Sequence, residues 1–191
     1  MILGAFRRGD HSRNIHGLYG AIVAQARSPV FYTHYGASDS VEGRFELIVL
    51  HLMLVLRRLG ADGVAASERE PSLGPGSAVG QRLFDVFCRD LDDNLREMGV
   101  GDLAVPRRMR QFGEAFYGRQ AAYAAALGAV DPQELEKALA RNILGEGNAG
   151  EKAAPLARYM RAAAAQLDAQ PEDALIAGRA VFPSPETFVN A

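Results

Sequence analysis

Four histidines (His11, His16, His34 and His51) and one cysteine (Cys88) are the side chains best suited to metal binding, acid–base work or nucleophilic chemistry. None of the histidines stands in an HExxH pattern or in the Glu-x-x-His pairing of helical di-metal carboxylate sites. His11 and His16 are five residues apart, a poor chelating interval on a helix. His51 lies within FELIVLHLMLVL, where a core histidine hydrogen-bonded to a neighbour is expected ahead of a catalytic base. Cys88 falls on an apolar helical face, where a thiol serves as packing. The string GEGNAG, residues 145–150, has the spacing G-x-G-x-x-G, but it follows a helical pattern instead of a strand and reads as an inter-helix loop. Without a Walker A, a G-x-S-x-G elbow or a kinase-type set, no nucleophile, base and orienter can be named together. The expectation is a protein that is not an enzyme and holds neither cofactor nor metal.

The charged stretches read in two ways. In RDLDDNLRE, Asp90, Asp92 and Asp93 suggest a divalent-metal site, yet Asp85 with Arg89, Arg89 with Asp93, and Asp92 with Arg96 stand four residues apart, the spacing of an ion-paired solvated face. Asp90 and Asn94 border the apolar stripe and are expected to bond a neighbouring helix end. Arg107, Arg108, Arg110 and Arg119 put cationic charge beside Phe116 and Tyr117, which suits an anionic peptide, RNA or lipid headgroup. They could equally answer the acids of the preceding helix, and spacing leaves both readings open.

The elements that must position these groups are helices. Period-2 alternation is almost absent, while i, i+3, i+4 apolar spacing runs nearly end to end. The pattern predicts helices over about 14–27, 39–59, 79–98, 106–127, 131–143 and 152–167, and a short turn near 172–178. Residues 30–40 read as a loop with apolar anchors. Ser38 or Asp39 is expected to cap the second helix, which is apolar nearly all round and therefore central to the bundle. SEREPSLGPGS, residues 67–77, reads as a mobile loop, and Pro155 is expected in a first helical turn.

With 191 residues, 48% of them hydrophobic, the chain suits one all-α globular domain over 14–178, with tails at 1–13 and 179–191. Lys and Arg total 21 against 23 Asp and Glu, a net charge of −2, which argues against DNA coating. One cysteine excludes an intramolecular disulfide framework, and the longest apolar window is about 12 residues where a bilayer span needs roughly 20. No signal-peptide or import-leader pattern opens the sequence, so a cytoplasmic location is expected, with at most peripheral contact at the membrane's inner face.

The run FYTHYGASDSVEGRFELIVLHLMLVLRRL (31–59) and the blocks FDVFCRDLDDNLREMGVGDLAVPRRM and FGEAFYGR within 80–123 closely resemble the ubiquinol-cytochrome c chaperone family. The likeness covers roughly residues 18–145 and, without an import leader, is to a bacterial member. It implies a non-enzymatic helical assembly factor for cytochrome b of respiratory complex III. Mitochondrial members act with a small helical partner near the ribosome exit. On that footing the client-binding surface is assigned to Phe31, Tyr32 and Tyr35, with Phe116, Tyr117 and the rim arginines Arg107, Arg108, Arg110 and Arg119. The alternative is a helical bundle enclosing quinone, haem or lipid in a cavity lined by His51.

Overall fold

The computed structural model describes residues 3–60, 74–145 and 149–189, and every regular element among them is helical. The chain winds through α1 (Leu3–Ala26), α2 (Val30–Thr33), α3 (Val41–Arg58), α4 (Pro75–Glu97), α5 (Val105–Gly128), α6 (Gln133–Leu139), α7 (Ala149–Ala169) and α8 (Glu172–Ile176). A π-helical turn, Ala140–Leu144, prolongs α6, and a 3-10 turn, Pro185–Phe188, ends the described chain.

α3 carries the longest apolar run, and residues 49–56 are all buried. It packs against α1 and α7, with further contacts to α4 and the π turn. Its first turn is capped by Ser40, whose hydroxyl accepts from the Gly43 amide at 3.1 Å, and Glu42 lies favourably near the positive end. The cap is thus one or two residues later than the expected Ser38 or Asp39, and Asp39 instead holds Arg44 at 2.7 Å.

At the other end of α3, two arginines reach across to the C-terminal end of α7. Arg58 donates to the carbonyls of Leu167 and Gln170 at 3.1 and 2.7 Å, and Arg57 binds Asp168 at 2.7 Å. Carbonyls at a helix end lack intrahelical partners, so these contacts close α7 and tie it to α3.

Several boundaries differ from the sequence reading. The expected N-terminal tail is helical from Leu3, and the stretch after Pro29 forms the single turn α2. That turn is favoured because Tyr32 and Thr33 amides both return to the Pro29 carbonyl. α4 begins at Pro75, whose missing N–H costs nothing in a first turn; residues 67–73 of the expected mobile loop lie outside the described residues. Pro155 sits inside α7, which starts at Ala149. The end of α4 is closed by Gly99 at φ +81°, with the Val100 amide reaching the Leu95 carbonyl at 3.0 Å. Asp131 accepts from the Gln133 amide at 2.9 Å and so starts α6 as its type suggests.

Candidate functional site

The residues expected to meet a client divide by burial. Phe31, Tyr35 and Phe116 are at most 3% exposed and present no contact area to another molecule. Phe31 and Tyr35 lie in an aromatic cluster with Tyr159, whose ring centroid is 5.0 Å from that of Phe31; Phe116 stacks near Phe84 at 4.9 Å. Their aromatic type is explained by packing. Tyr32 and Tyr117 are half-buried, and the Tyr32 hydroxyl donates to the Ala26 carbonyl at 3.0 Å.

The arginines divide in the same way. Arg119 makes a two-pronged contact with Glu46 of α3, its Nε donating at 2.5 Å, in a partly desolvated setting. Burial raises the Glu46 carboxyl above its ordinary range, and the guanidinium offsets only part of that rise. Arg119→Ala should therefore lower stability by about 2 kcal/mol, measured by urea unfolding, whereas Arg119→Met with Glu46→Leu should recover most of the loss. A double variant no more stable than the single one would contradict this.

Arg107, Arg108 and Arg110 are exposed, and none forms an ion pair among the described residues. They follow the α4–α5 corner, where Leu103 is 99% and Met98 54% exposed. Leu95 and Val105 are buried at this end of the α4–α5 pair but stand apart from the main core cluster. Its acids are partly self-paired, with Arg96 held by Asp92 at 2.7 Å and also by Asp102. Asp90 accepts from the Tyr19 hydroxyl at 2.7 Å, which ties α4 to the body of α1 and not to a helix end, while Asn94 donates to the Asp90 carbonyl of its own helix at 2.5 Å.

Among the described residues a polar network is buried around His51. His51 is fully buried; its Nδ1 lies 2.7 Å from the Leu47 carbonyl, and its Nε2 lies 2.7 Å from the Tyr159 hydroxyl. A carbonyl only accepts, so Nδ1 carries the proton and Nε2 accepts from Tyr159. Gln25 then donates to the Tyr159 oxygen at 3.0 Å and to the Pro183 carbonyl at 3.1 Å. Enclosure in apolar surroundings pushes the imidazole down to about 4, so it is neutral at physiological pH. Both ring nitrogens are used within the fold, leaving neither for a substrate proton or a metal. Spacing gave no sign of this network, because its partners come from distant parts of the chain.

A recess between α3, α5 and α7, lined by Met53, Leu54, Tyr123, Leu127 and Met160 among others, has a cavity volume of about 20 Å³. His51 does not line it, and it is far smaller than the roughly 300 Å³ of a small-molecule site, so this recess is not the enclosed quinone, haem or lipid cavity of the alternative expectation. The Cys88 thiol is half-buried and pushed up to about 11 by burial, a protonated and unreactive state. Among the described residues no cluster of three or more His, Cys, Asp or Glu is gathered to hold a metal, and no helix is long and apolar enough to cross a membrane.

Residues 33–182 match the sequence profile of the ubiquinol-cytochrome c chaperone family. The chain belongs to this family. Among solved structures, this chaperone-family chain is similar to the Cbp3 homolog from Brucella abortus, at 35% identity and a TM-score of 0.82, covering 97% of this chain and 98% of that one. Comparison with curated proteins gives no match. Family membership places the chain with assembly chaperones of ubiquinol-cytochrome c reductase and suits a role in binding a client protein.

Proposed function

We propose that the chain binds newly made cytochrome b and supports its assembly into the ubiquinol-cytochrome c reductase, acting from the cytoplasm at the inner face of the membrane. The observation that carries this reading is the family match over residues 33–182. The exposed α4–α5 corner supports it. Exposed Leu103 and Met98 would offer apolar contact to a hydrophobic client, and exposed Arg107, Arg108 and Arg110 would meet its acidic or polar loops at the rim. Half-buried Tyr32 and Tyr117 would add contact area of their own, while Phe31, Tyr35, Phe116 and Arg119 are taken up by packing and pairing within the fold. A small helical partner protein and a ribosome contact during synthesis belong to the same family-based reading.

Affinity purification of the tagged protein from its native host tests the proposal, with cytochrome b enriched over other membrane proteins as the expected result. Arg107→Glu with Arg110→Glu should reduce that capture about tenfold, since reversing rim charges weakens association, while the helical circular-dichroism signal stays intact. Capture unchanged by the charge reversal would remove the corner from the client surface, and no cytochrome b in the eluate would overturn the client assignment.

A further inference from the structure

Beyond α8 the chain returns over α7 and α2 as an extended segment, residues 180–189, ending in the 3-10 turn. Among the described residues no backbone-to-backbone hydrogen bond joins residues 181–189 to the helices beneath; Thr187 to Ser184 and Val189 to Glu186 are internal to the segment. Side chains of the body hold its backbone instead. Gln170 donates to the Val181 carbonyl at 2.8 Å and accepts from the Val181 amide at 2.9 Å. Gln25 donates to the Pro183 carbonyl at 3.1 Å, and Tyr35 donates to the Pro185 carbonyl at 2.6 Å. The Phe182 ring meets His51 edge-on at 5.3 Å, Phe188 meets Tyr159 at 6.1 Å, and Pro185 is buried.

This is how a groove recognises an extended peptide: fixed donors read carbonyls, and apolar hollows take intervening side chains. Prolines at 183 and 185 suit it, because each lacks an N–H and offers the groove only an acceptor. The contacts depend little on the segment's own side-chain polarity, so another extended apolar chain with carbonyls at the same intervals would satisfy them equally. A vacated groove would leave the Tyr35 hydroxyl without its acceptor, cost Gln25 its bond to Pro183 and uncover His51 on the side where Phe182 lies, which favours exchange of one occupant for another.

We propose that residues 181–188 are an intramolecular stand-in for an extended apolar segment of a polypeptide client, and that the client takes the groove by displacing them. Only the identity of that client rests on the chaperone reading above. Hydrogen exchange on the full chain tests the displacement, with a labelled synthetic peptide of residues 179–189 (RAVFPSPETFV) as the probe. The segment's amides should exchange about 100-fold faster than those of residues 47–56 in α3, because they open without global unfolding. Excess peptide should raise their exchange further, and full-length Pro185→Asp should bind the peptide at least about tenfold more tightly than the unaltered chain, since its own segment competes less well. If the segment's amides exchange only together with α3, the proposal is overturned whether or not the variant folds. Peptide that binds neither chain also overturns it. Peptide exchange without capture of cytochrome b would keep the groove and discard the client assignment.

Discussion

Between pH 6.5 and pH 4 the folded chain should lose about 3 kcal/mol of stability through His51 alone, at most about 1.4 kcal/mol for each pH unit. The imidazole has an ordinary value near 6.5 in the unfolded chain and one of about 4 in the fold. Over that window the unfolded chain takes up a proton that the folded chain refuses. Stability from the neutral buried ring is therefore fully present above pH 6.5 and is lost as pH falls toward 4. Glu46 works in the opposite sense: its raised carboxyl value makes protonation favour the fold as the solution becomes acidic. Urea unfolding at several pH values should show the loss in the unaltered chain and a flatter profile in His51→Gln, which is less stable at neutral pH. Parallel profiles for the two proteins would mean that His51 does not govern acid lability.

Gly43→Ala should be comparably damaging, with a loss on the order of 3 kcal/mol for overpacking against rigid backbone and loss of a helix cap. A Cβ at this buried position would lie 2.0 Å from the carbonyl oxygen of Ser38, far inside contact distance. No side chain can swing aside to relieve it, so the 38–43 turn must move. That turn includes the Ser40 hydroxyl and the Gly43 amide, and moving it breaks the bond that begins α3. Thermal unfolding should show a clearly lowered midpoint. Gly20→Ala, where an added methyl meets nothing within 4 Å, is the control and should not fall with it. A Gly43→Ala midpoint within error of the unaltered protein would refute the close-approach argument.

Much of the fold was legible because local chemistry and tertiary packing agree. The apolar run of α3, the glycine stop at Gly99 and the Asp131 start of α6 each satisfy a local requirement that the bundle also needs. Ser40 was harder to single out, since Ser38, Asp39 and Ser40 all offer a capping oxygen and only the turn around Gly43 decides among them. The surface assignments separated for a physical reason. Aromatic type marks either a contact or a core, and Phe31 and Tyr35 become core only because α7 and the C-terminal segment cover them. Arg119 found Glu46 on α3, whereas Arg107, Arg108 and Arg110 have no such partner among the described residues. The Gln25–Tyr159–His51 chain of hydrogen bonds left no trace in spacing, because a buried polar side chain signals that a partner exists without saying where.

The joining of α3 to α7 also sets an order of events during synthesis. His51 and Tyr159 are 108 residues apart, so at about 5–20 residues per second the ribosome needs some seconds between making one and making the other. Throughout that interval the apolar run of α3 has α1 available as a cover but lacks α7, and Arg57 and Arg58 have no helix end to close. The last quarter of the nascent chain thus completes the core late, and a ribosome stalled before residue 149 would hold an incompletely buried α3.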